Sequence, residues 1–181
     1  GRTIRFEGNT TISEADLEAV VAQGDLEVQG WIDFTTLAET LTTFYRNEGY
    51  LAARVQVGAP VLENGSAVLP VTIDEGPRSV IREVRWEGVS AARLALVKDN
   101  ANLHAQQPYT LAAVTAARNH VERHYRTQGF NSVQVAATAL PIHSTAVVDV
   151  DFVVTEGAQE ILKDVVTSGT TRTREGVIFR A

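Results

Sequence analysis

The sequence predicts an α+β protein built of tandem small domains, each running strand, helix, helix, strand, strand, with two helices on one face of a three-stranded sheet. Three observations lead there. The chain repeats itself, with the motifs of a second copy following those of the first at a nearly constant interval. Within each copy the apolar spacing passes from alternation to a helical stripe and back to strands, and glycine punctuates the changes.

The repeat is direct. Ile4-Arg5-Phe6-Glu7-Gly8 matches Val84-Arg85-Trp86-Glu87-Gly88, Tyr45-Arg46 matches Tyr125-Arg126, Gly49-Tyr50 matches Gly129-Phe130 and Val55 matches Val135. Gly8 and Gly49 are as far apart in the chain as Gly88 and Gly129. The offset then lengthens by one, pairing Glu75-Gly76 with Glu156-Gly157. The second copy thus carries an extra residue between its last two strands, in a loop, where insertions are tolerated. A third copy opens around Val165, Val166 and Gly169 and stops at Ala181. The expected division is 1–76, 77–157 and a truncated start at 158–181.

Each element has its reason. Thr3 to Glu7 and Ile81 to Glu87 place Ile4 and Phe6, or Val84 and Trp86, on one face, as a half-buried strand requires. Ser13, followed by acidic residues and by Leu17, Val20 and Val21, caps a first helix. The matching segment Ala91 to Asp99 has no obvious cap, because Ala91-Ala92-Arg93 stand where Thr11-Ile12-Ser13 stand in the first copy. The second helix starts at Asp33 or Thr110 and carries Phe34, Leu37, Leu41, Phe44 and Tyr45, or Val114, Ala117, Val121 and Tyr125, at helical spacing. Gly49 and Gly129 follow it, where a left-handed residue commonly closes a helix. Ala53, Val55 and Val57 alternate with Arg54 and Gln56, as Val133, Gln134 and Val135 do, so this strand has a wet side or an edge. Ala67 to Ile73 and Val147 to Val154 are almost continuously apolar, which suits a central strand. Asn64-Gly65 is a hairpin turn, since both residues tolerate positive φ.

Composition excludes several classes. Hydrophobic residues at 44% and charged residues at 21% support a packed core rather than disorder. No apolar run approaches the roughly 18 residues that cross a bilayer, and the first residues show no leader pattern, so the sequence reads as a soluble mature segment. The net charge is −6 and no basic patch gathers, which argues against nucleic acid as a partner. Cysteine is absent, removing disulfides and thiolate metal sites.

The element order, the strand ending in Glu-Gly, the Tyr-Arg-x-x-Gly-Tyr or Tyr-Arg-x-x-Gly-Phe close of the second helix and the terminal Glu-Gly together resemble POTRA domains. These are the repeats of outer-membrane protein assembly factors of the BamA and TamA type. The resemblance implies a periplasmic location and attachment to the bacterial outer membrane through a C-terminal β-barrel beyond this sequence. It also implies partners among unfolded outer-membrane proteins and accessory periplasmic or lipoprotein components. A two-partner secretion transporter or a divisome-type protein would share the fold.

Chemistry-bearing patterns are sparse. His120 and His124 lie at i and i+4, but Val121, Glu122 and Arg123 between them do not make the zincin pattern. A metal-dependent hydrolase resting on this pair is the remote alternative. Asp149 and Asp151 share one side of a strand and read as two solvated carboxylates. Trp86 reads as core and Trp31 as partly buried at a helix start. No catalytic residue, metal or cofactor is assigned. The candidate binding residues are those of the alternating strand: Ala53, Arg54, Val55, Gln56 and Val57 in one copy, and Ser132, Val133, Gln134 and Val135 in the other. An edge there would offer unpaired backbone groups to an extended client segment. Glu75, Gly76 and Pro77 form the expected hinge, glycine allowing a bend and proline restricting it, between units with separate cores.

Overall fold

A computed structural model describes residues 1–142 and 144–161. The expected third copy from residue 162 onward lies outside the described residues. The first unit runs β1 (Arg2–Glu7), α1 (Glu14–Gln23), α2 (Leu26–Gln29), α3 (Phe34–Asn47), β2 (Arg54–Val57), β3 (Val61–Glu63) and β4 (Ser66–Asp74). The second runs β5 (Val80–Glu87), α4 (Ala91–Ala101), α5 (Leu111–Thr127), β6 (Gln134–Ile142) and β7 (Ser144–Thr155).

In both units the last strand is central. The sheet orders are β1-β4-β2 and β5-β7-β6, with the first strand parallel to the centre and the hairpin strand antiparallel to it. Period-two alternation sends Leu69, Val71 and Ile73 of β4 to the helical side, where they meet Leu17, Leu37, Leu41 and Tyr45. In β7, Val148, Val150, Phe152 and Val154 do the same against Val97, Val114, Val121 and Tyr125. Trp86 stacks on Phe152 with ring centres 4.3 Å apart, so it packs on the core as its spacing suggested.

The helix starts follow local chemistry. Ser13 accepts from the Asp16 amide, Asp33 from Thr36 and Thr110 from Ala113, each satisfying an orphan amide of a first turn. The helix whose start lacked a signal does form. Ser90 takes the extended N-cap position without a side-chain bond, so α4 is held by its buried face at Val97 and Ala101. The short α2 had no sequence signal. It follows Asp25, whose left-handed φ of 54° turns the chain so that Leu26 is buried.

The two hairpin edges differ for one physical reason. Pro70 sits in the central strand β4 and has no amide to donate. Gly58 donates to the Pro70 carbonyl at 2.8 Å, but no bond can return. The edge strand leaves at this point, passes through Gly58 to Pro60 and resumes as β3, pairing with Ser66 to Val68. The expected three-strand order is kept, with its edge strand in two pieces. The turn at Asn64-Gly65 has φ of 51° and 81°, as the dipeptide requires. In the second unit β6 pairs without a break from Gln134 to Pro141, the register shifting only at Ile142.

The buried residues form two clusters, one per unit, with Leu51 of the first unit half-buried against the second. Gly8 and Gly88 end the first strands at φ of 92° and 79°. A β-carbon there would lie 2.0 Å from the Ile73 or Val154 carbonyl oxygen of the central strand. The repeated glycine therefore lets the chain leave the sheet against a backbone atom that has no room to yield. Gly8→Ala should cost more than the roughly 1–2 kcal/mol of left-handed strain alone. Urea unfolding followed through Trp31 fluorescence in a Trp86→Phe background checks this, and a loss below that range would show that the strand end relaxes.

Candidate functional site

Three features are candidates: the hairpin edges, the joint, and the outer face of the second sheet. On the first edge, the Gly58 bond to Pro70 fixes the phase of the ladder. Residues 54 and 56 point their amides and carbonyls at β4, and Val55 and Val57 point theirs outward. Ala53 precedes the strand and is buried, its amide bonded to the Tyr50 carbonyl, so it offers nothing to a partner. On the second edge, Ser132 and Val133 also precede the strand, Val133 being buried and its amide bonded to Phe130. Val135 lies opposite Val154 as Val55 lies opposite Ile73, and the same phase carried along β6 turns Gln134, Ala136, Thr138 and Leu140 toward β7 and the backbone groups of Val135, Ala137 and Ala139 outward. Pro141 continues this outward set, where a missing amide leaves the ladder intact. The sequence pattern stopped at Val135 because Ala136 to Ala139 lack apolar alternation. The run of small residues makes β6 the longer and less obstructed edge.

At the joint the three candidate residues behave differently. Glu75 is buried, with 6% of its surface exposed. Its carboxylate accepts from the Thr10 hydroxyl at 2.7 Å, from the Thr11 hydroxyl and amide at 2.9 and 3.1 Å, from the Ile12 amide at 3.4 Å and from the Tyr45 hydroxyl at 3.1 Å. It is an anchor tying the end of β4 to the loop before α1 and to the end of α3. Gly76 passes over Ala52 at a φ of 65°, and Pro77 is exposed. The second unit repeats the contact, with Tyr125 donating to Glu156 at 2.9 Å. Burial, then the hydrogen bond to Glu156, push the Tyr125 hydroxyl up to about 12.

The units meet at Gly49. Its carbonyl accepts from the Ser79 amide at 2.8 Å, and a β-carbon on it would lie 2.2 Å from the Tyr109 carbonyl oxygen. The local pattern assigns Gly49 only to helix closure; its second role needs a partner in the next unit, which no local pattern shows. Gly129 repeats the arrangement, accepting from the Glu160 amide at 2.8 Å.

On the helix-free face of the second sheet, Asp149 is fully buried, which corrects its reading as a solvated carboxylate. Arg82 clasps it through two bonds of 2.8 and 2.6 Å, and Arg85 adds a contact of 3.2 Å while also pairing with Asp151 at 2.7 Å. The Arg82 guanidinium holds the Asp149 carboxyl below the ordinary aspartate range against the opposing effect of burial. Arg82 is available because β5 bulges between Ile81 and Glu83. Among the described residues no group of three or more His, Cys, Asp or Glu is placed to hold a metal. His120 is exposed, and His124 stands edge-on to Tyr125 with centres 6.1 Å apart.

Two family models match this chain. Residues 2–76 match the POTRA domain of ShlB type, and residues 79–157 match the POTRA surface antigen variable number repeat. The chain belongs to the POTRA family. It is 19% identical over 192 residues to the outer membrane protein assembly factor BamA of Nitratidesulfovibrio vulgaris, covering 99% of this chain and 24% of that protein. A Treponema pallidum sequence carrying an outer membrane protein assembly factor name is 25% identical over 170 residues, covering 86% of this chain and 20% of that protein. The chain thus spans about a quarter or less of these relatives. Among solved structures, POTRA domains 3–5 of Haemophilus influenzae BamA align with a TM-score of 0.50 at 18% identity, over 87% of this chain and 66% of that one.

The buried carboxylate gives the first POTRA domain an acid limit. Burial opposes ionisation of Glu75, yet the bonds from Thr10, Thr11 and Ile12 together outweigh it and hold the carboxyl below the usual glutamate range. Its stabilising contribution is complete above the unfolded value, about 4.3, and is lost as pH falls through the lower folded value. Glu75→Gln should therefore cost about 2 kcal/mol near neutral pH, as expected for bonds to a charged acceptor, with the difference shrinking in acid. Urea unfolding across a pH series measures both, and a pH-independent difference would show that the charge is irrelevant.

Proposed function

We propose that this chain is the periplasmic POTRA region of an outer-membrane protein assembly or translocation factor, attached to the membrane through a β-barrel elsewhere in its parent. It binds rather than catalyses. Its hairpin edges hold extended segments of unfolded β-barrel clients by backbone pairing, and its joints set the spacing at which such segments and accessory periplasmic or lipoprotein partners are presented. The observation that carries this reading is β6, whose outward groups at Val135, Ala137 and Ala139 form a ladder unpaired among the described residues and flanked by small side chains. Backbone pairing makes little demand on client sequence, which suits a factor serving many clients. Arg54, Gln56 and Gln134 supply the polar character that guards such edges against self-association. The proposed divisions remain 1–76 and 77–157, with a further POTRA domain opening at 158. Translocation of a secreted partner is the second reading, favoured by the ShlB-type match of the first domain.

Proline separates pairing from fold. Ala137→Pro removes an amide that faces outward and should leave the β7 ladder intact, whereas Thr138→Pro removes one that faces it. Fluorescence anisotropy with a labelled peptide from an unfolded outer-membrane β-barrel protein should show about tenfold weaker binding for Ala137→Pro, with an unchanged circular dichroism spectrum. Val55→Pro is the equivalent variant on the shorter β2 edge and should have a smaller effect. Undiminished affinity in both folded variants would overturn augmentation at the hairpin edges.

A further inference from the structure

The two POTRA domains differ at their other sheet edge, the side of β1 and β5 away from the central strand. Phe6 lies opposite Val71 and Trp86 opposite Phe152; counting back along the central strands makes Arg2 opposite Ala67 equivalent to Ile81 opposite Val148. At Ile81 this edge is occupied. The amide of Ile81 donates to the Gln107 carbonyl at 2.9 Å, and its carbonyl accepts from the Gln106 amide at 2.7 Å. Tyr109 donates to the Ser79 carbonyl at 2.9 Å, and Val80 bridges Pro108 in antiparallel sense. The connection between α4 and α5 thus lies along the β5 edge as an extended strand.

In the first domain the corresponding connection coils into α2 instead, and no described segment covers the edge. The Gly1 carbonyl accepts from the Ala67 amide, so strand alternation turns the backbone groups of Arg2, Ile4 and Phe6 away from β4. Beside them lies a groove of about 450 Å³ lined by Ile4, Phe6, Val21 and Trp31, with Glu18, Glu27 and Arg2 at its charged positions. The Arg2 guanidinium sits 5.6 Å from the centre of the Trp31 ring, which leaves Glu18 and Glu27 as exposed carboxylates with no cation paired to them among the described residues. Val28 and Ile32, on the same connection as Trp31, are 64% and 74% exposed.

We propose that this groove binds an extended, basic segment of a partner protein, which pairs antiparallel with the start of β1 as residues 106–109 pair with β5. Apolar side chains of the segment enter beside Ile4 and Trp31, and a lysine or arginine meets Glu18 and Glu27. This site is separate from the hairpin edges, so the domain can hold one strand on each side of its sheet.

The test uses the whole chain in a Trp86→Phe background, with Trp31 fluorescence as readout and a short synthetic peptide alternating valine with lysine as probe. A peptide alternating valine with glutamate serves as its counterpart. The basic peptide should shift Trp31 emission and the acidic one should not. Glu18→Lys with Glu27→Lys should weaken the basic peptide about tenfold, the scale of two reversed rim charges. Arg2→Pro removes the outward amide at a first strand residue, where proline is tolerated, and should abolish binding, while Arg2→Ala should retain it. Binding unchanged by Arg2→Pro, or binding lost in Ala137→Pro instead, would overturn the β1 site; the second outcome would leave the hairpin-edge reading standing. Concentration-dependent dimerisation lost in Arg2→Pro would name a second copy as the occupant and equally overturn the proposal.

Discussion

The fold turns on a carboxylate at the end of the central strand that a core tyrosine holds, buried as Glu75 in the first domain and half-buried as Glu156 in the second. A strand-helix-helix-strand-strand unit this small buries too little surface to hold its periphery by apolar contact alone. Its weak point is where the central strand, the loop into α1 and the end of the long helix meet, because each brings unpaired polar groups. Glu75 accepts from five donors in two of these regions at once, including the Tyr45 hydroxyl from inside the core. The cost of burying a charge is offset only because nearly every lone pair finds a donor. Tyr45 and Glu75 recur as Tyr125 and Glu156, so the tyrosine bond of the clasp repeats along with the glycines around it, while the threonine bonds belong to the first domain, since Ala91 stands where Thr11 does.

Once the clasp fixes the end of the central strand, the chain must leave in one direction, and the contact between domains follows. The linker beyond Glu75 crosses Ala52 and returns to Gly49, whose missing side chain admits the Tyr109 carbonyl of the next domain. Beyond Glu156 the chain does the same at Gly129, meeting Glu160. The spacing of successive domains is thus set by the distance from clasp to glycine, a rigid measure within one sheet and one helix. A hinge made only of Glu75, Gly76 and Pro77 would have been looser, since Glu75 itself is anchored.

What could be read from the sequence follows the range of the interactions involved. The repeat, the helix stripes, the caps at Ser13, Asp33 and Thr110 and the turn at Asn64-Gly65 depend on neighbours within a few residues, so they were legible. The centrality of β4 and β7 was legible too, because their runs are richer in apolar residues than the alternating hairpin strands beside them. The length of β6 was not, since Ala136 to Ala139 carry no alternation and owe their conformation to pairing with Val150 to Val153. Asp149 was misread because its partner Arg82 enters through a bulge, which spacing arguments cannot anticipate. The edges themselves could be inferred as a class, but the ladder phase that separates Val55 from Gln56 required the Pro70 contact.

That ladder phase has a consequence for how two domains of one family diverge. Each sheet has two edges, and the two domains obstruct different ones: Pro70 breaks the hairpin edge of the first, and residues 106–109 cover the first-strand edge of the second. The first domain is left open chiefly at β1 and the second chiefly at β6. Because β1 and β6 lie at opposite ends of their strand orders, neighbouring domains present backbone that is unpaired among the described residues on opposite edges. On the proposed binding mode, two strands of one client or partner would then not compete for a single docking line. Small changes, a proline in a central strand or an extended loop in place of a helical turn, are enough to redistribute open sheet edges without disturbing the clasp that holds the fold.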